Sequence, residues 1–200
     1  MVTYVPLANN INSNLELSIS DDGWLSLARR CPSPNFNQRP DTPISLVVVH
    51  NISLPPCQFG GSYIEQLFTN CLNPNEHPYF AQIAHLQVSA HLLIRRTGEV
   101  VQFVPFTARA WHAGQSLYQG RANCNDFSIG IELEGADEIP YEQVQYQQLA
   151  KIICGLKKSY PAIAEHITGH SNIAPERKTD PGPAFDWSML SRLLDQESQL

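Results

Sequence analysis

Two histidines and one aspartate have the residue types and positions that a catalytic metal site requires. His50 ends the apolar run ISLVVVH, and His170 follows the short run IT, so both lie where a strand gives way to a loop. Asp180 follows ten residues after His170. Strand ends are where α/β domains place their sites, and two imidazoles with one carboxylate form a three-ligand set for zinc. We therefore expect one Zn²⁺ per chain, with a fourth position left for water whose pKa falls toward about 7.

The spacing of these ligands leaves a second interpretation open. They come from distant parts of the chain, and no H-E-x-x-H motif joins them. In the second interpretation, His50 is a core histidine at the end of a strand and His170 is a loop histidine bonded to the backbone. Lone histidines of both kinds are common, so the spacing alone does not choose between them and a zinc site.

A pair of glutamates lies in the segment FSIGIELEG. Its alternating pattern predicts a strand with Glu132 and Glu134 on one face and Ile131 and Leu133 on the other. Either one of these carboxylates, with Glu132 as the candidate, is the general base for a zinc-bound water, or both lie on a solvated sheet face. We interpret Glu134 as part of a solvent-facing sheet surface.

The loop GHSNIAPERKTDPGPAFDW carries a lysine close to Asp180. Its three prolines exclude a continuous helix or a central strand, so the loop holds polar side chains on a stiff, irregular backbone. Lys178 lies two residues before Asp180, and an ammonium beside zinc stabilises the oxyanion that forms when water adds to an amide carbonyl. The alternative is an ordinary surface lysine, which is how we interpret the neighbouring Arg177.

The remaining aromatic and histidine residues allow weaker inferences. Trp111 and His112 occur in RAWHAG, where Trp111 forms either an apolar wall for a sugar or peptide or part of the core. His77 and His85 flank PYFAQIA, and their spacing is poor evidence for a second metal. His91 lies in a predicted hairpin strand, from which it would support a metal ligand by hydrogen bonding.

The composition favours a globular domain that handles a small substrate. The chain has 200 residues, 42% hydrophobic and 16% charged, which suits one domain with a sizeable core. A formal net charge of −6 gives no basic surface for nucleic acid or an anionic membrane, and it disfavours residence on an anionic wall polymer. No apolar run approaches the roughly 20 residues of a membrane span. The N-terminus lacks the parts of a secretory signal, so we expect a cytoplasmic protein.

The five cysteines fit the same compartment. Their number is odd and no C-x-x-C motif occurs, which favours free thiols over a disulfide framework. No cysteine has the context of a nucleophile, and no G-x-S-x-G motif is present, so a cysteine or serine hydrolase is disfavoured.

Strand patterns alternate with helix patterns, which predicts an α/β (α+β-like) fold with a central mixed sheet flanked by helices. We expect a single domain over residues 21–200, preceded by a loosely ordered extension over 1–20. We predict strands over 44–50 and 127–135, a short strand within 164–170, a hairpin over 86–106 that turns at Gly98, and helices over 21–30, 62–70, 141–161 and 186–194. The segment 72–80 is predicted to be an irregular loop, and the longer segment 72–85 is a candidate lid.

Six segments, taken in order, resemble a known enzyme family. LVVVHNISLPP, SAHLLIRRTGEVVQFVP, AWHAG, CNDFSIGIELEG, YQQLA and TGHSNIAPERKTDPGPAFDW are similar to the zinc-dependent N-acetyl-anhydromuramyl-L-alanine amidases of the AmpD type. The resemblance extends over about residues 22–194. It implies an acid/base role for Glu132, transition-state stabilisation by Lys178, and zinc ligands at His50, His170 and Asp180.

The resemblance also implies a substrate and a cellular role. The substrate would be a cytoplasmic muropeptide that contains anhydro-N-acetylmuramic acid. The bond cut would join the lactyl group of this sugar to L-alanine of the stem peptide. This reaction belongs to cell-wall recycling in Gram-negative bacteria and indirectly controls β-lactamase induction. We expect a monomer that binds neither nucleic acid nor membrane.

The resemblance further implies which residues contact substrate, and the sequence departs from the family at two of them. Residues expected to line the substrate groove are Asn51, Trp111, Leu133 and Ala174. Gln87 and Asn123 stand where some family members use arginines to hold the carboxylates of the substrate. Arg121 is close in sequence and would substitute for one of them. The departure bears on affinity and on peptide preference, not on the chemistry.

Two other functions fit the same family. Non-catalytic peptidoglycan receptors of the superfamily lack a zinc ligand, whereas all three ligand positions are occupied here by suitable residues. An exported amidase that digests polymeric wall is disfavoured by the acidic charge and by the N-terminal sequence. The cytoplasmic enzyme is therefore the function that the sequence favours.

Overall fold

The computed structural model describes residues 17–199, and its centre is a six-stranded mixed sheet in the order β1-β5-β4-β9-β3-β10. Two small two-stranded sheets, β2-β6 and β7-β8, lie beside it. The strands are β1 Arg29–Arg30, β2 Phe36–Gln38, β3 Leu46–Ile52, β4 Leu92–Ile94, β5 Val100–Gln102, β6 Ala108–Ala110, β7 Leu117–Tyr118, β8 Arg121–Ala122, β9 Ser128–Glu134 and β10 Ile167–Gly169.

Helices cover the sheet and connect its strands. They are α1 Tyr63–Phe68, α2 Pro78–Ile83, α3 Gln143–Ser159, α4 His170–Ile173 and α5 Trp187–Glu197, with 3-10 turns at Cys124–Asp126 and Pro161–Ile163. None of the helices within residues 17–199 is long and apolar enough to cross a membrane. The predicted mixed sheet flanked by helices, in a single domain, is confirmed.

The two central strands, β3 and β9, run parallel and pair over seven residues, from Leu46 opposite Ser128 to Ile52 opposite Glu134. β3 reads LVVVHNI, and its β-branched side chains are buried on both faces, as is typical of a strand inside a parallel sheet. β10 pairs parallel with β3 on the other side, with Gly169 opposite Val49. This register places His170, the next residue, beside His50.

One face of β9 packs in the main hydrophobic core, and the other face carries polar residues and a glycine. Ile129, Ile131 and Leu133 belong to the main hydrophobic core, together with the apolar stripe of α3. The opposite face carries Ser128, Gly130, Glu132 and Glu134, because side chains alternate along a strand. One face of the sheet therefore holds the core, and the other can hold a polar site.

The predicted hairpin and the predicted long helix are both confirmed. β4 and β5 pair antiparallel, and Gly98 turns the chain between them with φ +85°. α3 buries Leu149, Ile152, Ile153 and Leu156 on one stripe, and Lys157 and Lys158 stand in its last turn.

The predicted helix over 21–30 is wrong. This segment forms turns, and it ends in β1, which pairs parallel with β5. Gly23 has φ +87° and lies so close to the backbone of Thr107 that a Cβ atom would be 2.8 Å from the Thr107 nitrogen. Leu25 is inserted into the main core. These long-range contacts outweigh the weak local helical pattern.

The predicted loop over 72–80 is corrected at its end, where α2 begins at Pro78. His77 caps this helix, because its Nδ1 accepts a hydrogen bond of 3.1 Å from the backbone N–H of Tyr79. Proline is favoured in the first turn of a helix, where its missing N–H costs nothing. The proline therefore marked the start of a helix and not the continuation of a loop.

Most of the expected N-terminal extension lies outside the described residues. Of its last four residues, Leu17 and Ile19 pack against the main core, and Ile19 forms a β-bridge with Leu25. The boundary between an extension and a domain at residue 20 stays a prediction.

Candidate metal centre and catalytic cavity

The structure brings His50, His170 and Asp180 together. The Nδ1 atom of His50 lies 3.0 Å from Nδ1 of His170 and 3.0 Å from Oδ2 of Asp180. His170 Nδ1 lies 3.1 Å from the same carboxylate oxygen. Both histidines are buried, whereas Asp180 is partly exposed. This is the one group of three such ligands, with all ligand atoms within 4.8 Å of one another, found among residues 17–199.

The donor set fits zinc. Ligand atoms around a tetrahedral zinc lie about 3.3 Å apart, given bond lengths of about 2.0–2.1 Å, and the separations here are close to that value. Burial lowers the pKa of His50 to about 4, although a hydrogen bond to Asp180 opposes the shift. Burial alone would raise the pKa of Asp180, but hydrogen bonds to His170 and His50 outweigh it and hold this pKa below its ordinary value. Neutral imidazole and ionised carboxylate are the forms that bind a metal.

Glu132 stands beside this group because β9 pairs with β3 in register, with Glu132 opposite His50. Its side chain is 9% exposed, and its Oε2 atom has no hydrogen-bond partner among the described residues. Burial raises the pKa of Glu132 well above its ordinary value; the charge of Asp180 raises it further and Lys178 opposes the shift. An unpaired buried carboxylate is costly for stability, so its presence points to a chemical role.

A cavity of about 520 Å³ joins these residues. His50, His170 and Asp180 line it together with Glu132 and Lys178. Its apolar wall is formed by side chains from α1, α2 and the loops beside them, including Leu54, Leu67, Phe68, Tyr79, Ile83 and Leu86. The arrangement combines a metal-binding group, a carboxylate that can carry a proton and an ammonium at one end of an apolar groove. This combination suits hydrolysis of an amide.

The region that contains this cavity matches a known family. Residues 40–183 match Amidase_2, the N-acetylmuramoyl-L-alanine amidase family. The protein named 1,6-anhydro-N-acetylmuramyl-L-alanine amidase AmpD of Citrobacter freundii is 64% identical over 179 residues, which is 89% of this chain and 96% of the relative. This chain belongs to the AmpD-type amidases. It is accordingly an N-acetylmuramoyl-L-alanine amidase, a hydrolase.

Solved structures support the same assignment. A crystal structure of a selenomethionine derivative of AmpD has a TM-score of 0.86 and 64% identity, covering 88% of this chain and 99% of that one. The amidase AmiD of Escherichia coli, in complex with anhydro-N-acetylmuramic acid-L-Ala-D-gamma-Glu-L-Lys, has a TM-score of 0.55 and 26% identity, covering 88% and 65% of the two chains. The AmpD-type fold expected from the sequence is thus confirmed.

Two of the four residues expected in the substrate groove of this AmpD-type amidase line the cavity. They are Asn51 and Trp111. The amide nitrogen of Asn51 donates to Oδ1 of Asp137 at 2.8 Å and to the carbonyl of Pro181 at 3.0 Å. Trp111 donates from Nε1 to Oδ1 of Asn37 at 2.7 Å. Both side chains are thereby held in fixed orientations at the cavity wall.

The other two expected groove residues do not line it. Leu133 is fully buried in the main core, because it alternates with Glu132 and points to the opposite face of β9. The side chain of Leu133 therefore points away from the cavity, and the groove assignment of this residue stays a prediction. Ala174 is buried just after α4 and is also absent from the cavity wall.

The guanidinium of Arg121, which was expected to substitute for a substrate-binding arginine, bonds to residues outside the cavity. Its guanidinium donates to Oγ of Ser45 at 3.0 Å and stacks on the ring of Phe127 at 3.7 Å. Ser45 and Phe127 precede β3 and β9, so Arg121 lies at the amino ends of these strands, away from the cavity. Gln87 and Asn123 are exposed, and neither lines the cavity.

Glu134 is buried and structural, contrary to the solvent-facing position expected for it, whereas Arg177 is exposed, as expected. Glu134 is buried; it accepts hydrogen bonds from the backbone N–H of Gly60 at 2.6 Å and from the guanidinium of Arg95 at 3.2 Å. It therefore anchors the loop that follows β3. Arg177 donates from Nη2 to the carbonyls of Ala113 at 2.7 Å and Gln115 at 2.8 Å.

The sequence-based interpretation missed the role of His112. Its Nδ1 lies 2.9 Å from Nε2 of His50, whereas His91 bonds to the backbone of Gly130 and Ala108 and not to a ligand. Desolvation lowers the pKa of His112 well below its ordinary value, with the nearby His50 as the next cause. The one available signal was Gly130, a glycine inside a buried strand, which marks a place where another group approaches closely.

Proposed function

We propose that this chain is a zinc-dependent 1,6-anhydro-N-acetylmuramyl-L-alanine amidase of cytoplasmic peptidoglycan recycling. Its substrate is an anhydro-muropeptide, and it hydrolyses the amide between the lactyl group of anhydro-N-acetylmuramic acid and L-alanine. The name of the Citrobacter relative and the ligand bound to AmiD support this substrate class. The observation that carries the proposal is the convergence of three metal-ligand atoms beside the unpaired carboxylate of Glu132, inside a cavity large enough for a sugar and part of a peptide.

His50, His170 and Asp180 would hold the zinc. When bound, zinc supplies a Lewis acid that polarises the amide carbonyl and lowers the pKa of a bound water. The two imidazoles present their Nδ1 atoms to the shared position, and their Nε2 atoms point away from it toward His112 and the carbonyl of Ala113. Each imidazole therefore has a partner that fixes its orientation.

Glu132 moves the proton that the reaction transfers. Its carboxylate accepts a proton from the water as that water attacks the carbonyl carbon, and then donates it to the nitrogen of the departing alanine. The raised pKa of Glu132 suits this shuttle, because the carboxyl group can hold the proton between the two steps. General acid–base catalysis of this kind contributes roughly 10²–10⁴-fold to a rate.

Lys178 stabilises the oxyanion of the tetrahedral intermediate. It lines the same cavity, two residues from Asp180. The backbone of its loop is held by a hydrogen bond of 2.9 Å from the N–H of Lys178 to the carbonyl of Ala174. A fixed ammonium placed where negative charge develops costs no reorganisation during the reaction.

The apolar wall of the cavity binds and orients the substrate. Trp111 offers a flat surface for the sugar or the peptide, and Asn51 lies between the metal group and Asp137. Residues from the 72–85 segment, Tyr79 and Ile83 of α2, contribute to this wall. We retain the proposal that this segment acts as a lid, because its displacement would open one side of the cavity.

The proposal is tested by hydrolysis of purified anhydro-N-acetylmuramyl-L-Ala-γ-D-Glu-L-Lys, with and without a chelator and after zinc add-back. We expect release of free anhydro sugar and intact peptide, loss of this release with chelator, and its recovery with zinc. Intact sacculi, assayed in parallel, are expected to release little peptide. Turnover that persists at full rate after complete metal removal would contradict zinc dependence, and faster release from sacculi would contradict the recycling substrate.

A further inference from the structure

Four polar groups form a line that leads away from the metal-facing side of His50. His50 Nε2 lies 2.9 Å from Nδ1 of His112, and Nε2 of His112 lies 3.1 Å from Oγ of Ser128. The hydroxyl of Ser128 lies 2.6 Å from the carbonyl oxygen of Cys124. Each of these groups can in principle donate or accept, except the last, which is a carbonyl.

This carbonyl sets the direction of every hydrogen bond in the line. Because the oxygen of Cys124 only accepts, the Ser128 hydroxyl donates to it, and the lone pairs of Ser128 accept the Nε2–H of His112. Neutral His112 then has a lone pair on Nδ1, which accepts the Nε2–H of His50. His50 is left with its lone pair on Nδ1, the atom that faces His170 and Asp180.

We infer that His112 is a positioning residue that selects the tautomer of His50 and directs its Nδ1 lone pair to the metal. The inference deepens the proposed function and rests on it, since it presumes that His50 binds zinc. His112 lines the cavity but stands outside the three-ligand group. It acts through His50, by holding the ring in one orientation and one tautomer.

The sheet is shaped to accept the His112 ring. A Cβ atom on Gly130 would lie 2.4 Å from Cγ of His112, so only glycine at this position of β9 leaves room for the imidazole. Ser128, which receives the far nitrogen of the ring, is two residues earlier on the same face of the strand. One face of β9 therefore provides both the space for the ring and its acceptor.

The backbone around His112 serves the second histidine ligand as well. The carbonyl of Ala113 lies 3.1 Å from Nε2 of His170. The side-chain oxygen of Asn125 accepts the N–H groups of both His112, at 3.1 Å, and Ala113, at 2.8 Å. The two-residue segment 112–113 thus holds both imidazoles, and the buried Asn125 holds the segment.

The first test is zinc affinity, measured by competition with a chromophoric chelator, which requires no turnover. His112→Phe keeps a ring of similar shape but has no acceptor, and we expect its zinc affinity to fall by about 10–100-fold, as for other outer-sphere partners. His112→Asn places a carbonyl oxygen where Nδ1 was, and we expect an affinity much closer to wild type than to His112→Phe. His166→Phe is the matched control, because His166 bonds to the hydroxyl of Tyr118 and to no ligand.

The outcomes separate the inference from the proposed function. If the wild-type chain binds zinc and His112→Phe binds it equally well, the inference is overturned while the zinc site stands. If His112→Asn is as weak as His112→Phe, the ring contributes shape and not an acceptor, and the inference is again overturned. If the wild-type chain binds no zinc, the proposed function fails and the inference fails with it.

A second measurement reads the tautomer directly, without any variant. Nitrogen-15 NMR of the imidazoles in the zinc-loaded wild-type protein should show His112 neutral and protonated on Nε2, and His50 protonated on Nε2. A His112 that carries its proton on Nδ1, or on both nitrogens, would overturn the inference even if the affinity of the variants fell.

Discussion

The two faces of the central strands β3 and β9 differ in what determines the residue type at each position. On the face toward α3 and α5, Ile129, Ile131 and Leu133 join one hydrophobic core, where any apolar side chain of suitable volume would serve. On the cavity face, each residue of β9 makes a specific contact or leaves space for one. Ser128 and Gly130 receive the His112 ring, Glu132 faces the metal group, and Glu134 anchors a loop.

One strand therefore has a face that needs only apolar volume and a face on which each side chain must be of one type. The core face is held by burial, which is non-directional. The cavity face is held by directed hydrogen bonds, so the identity of each side chain matters there. Changes on the cavity face should therefore affect zinc binding and turnover, whereas changes on the core face should affect only stability.

The largest effect is expected for Asp180→Ala, which removes the one carboxylate of the three-ligand group. We expect zinc affinity to fall by more than the roughly 10–100-fold typical of outer-sphere partners, and turnover to fall to background at ordinary zinc concentrations. Elemental analysis after dialysis measures the zinc retained. Asp137→Asn is the control, since Asp137 lines the same cavity outside the ligand group. Unchanged zinc content in Asp180→Ala would contradict the ligand assignment.

Leu133→Ala tests the core face of the same strand. Removal of this fully buried side chain should lower the free energy of unfolding by about 2–5 kcal/mol, because it leaves a cavity in a packed core. Denaturant unfolding measures the change. Zinc bound per folded chain and turnover per folded chain should stay at wild-type values. Loss of zinc from folded Leu133→Ala protein would show that the two faces are not independent.

The smallest effect concerns the far end of the cavity face, where Arg95 joins Glu134 to Glu65. A hydrogen bond from Arg29 lowers the pKa of Glu65 to about 2, against an opposing effect of burial. A carboxyl whose pKa is lowered in the folded state stabilises the fold at any pH above its ordinary pKa. This stabilisation is lost as the pH falls from about 4.5 toward 2.

We expect the difference in free energy of unfolding between the wild-type protein and Glu65→Gln to be about 1–2 kcal/mol near neutral pH, after a discount for the partial exposure of Arg29. Urea unfolding at several pH values measures it. The difference should shrink as the pH falls below about 4.5. A difference that stayed constant to pH 2 would contradict the ion pair as its source.

The core face and the positions of the metal ligands could be predicted from the sequence. The strand over 44–50, the alternation in 127–135 and the apolar stripe of α3 are periodic patterns, and burial follows directly from them. His50, His170 and Asp180 were predicted from residue type and strand ends, and the register of β10 with β3 explains why two of them meet. These are features that local sequence encodes.

The roles of Glu134 and His112 could not be predicted, because they depend on contacts between segments that are distant in sequence. Glu134 was expected to face solvent because alternation gives the face of a residue and not what covers that face. The cover is the loop at Gly60 together with Arg95, far away in sequence. The role of His112 likewise requires Gly130 and Ser128 on another element. Pairings of this kind cannot be deduced from spacing, although a glycine inside a buried strand indicates where to look.

The proposed function requires that the cavity face of β9 present a catalytic carboxylate, that of Glu132, to the amide during zinc-dependent hydrolysis. The most direct measurement is turnover of the anhydro-muropeptide by Glu132→Gln, with the zinc content of the same sample determined in parallel. Gln has nearly the same shape but cannot accept the proton, so we expect one zinc per chain and a turnover reduced by about 10²–10⁴-fold. Near wild-type turnover with zinc bound would contradict the claim.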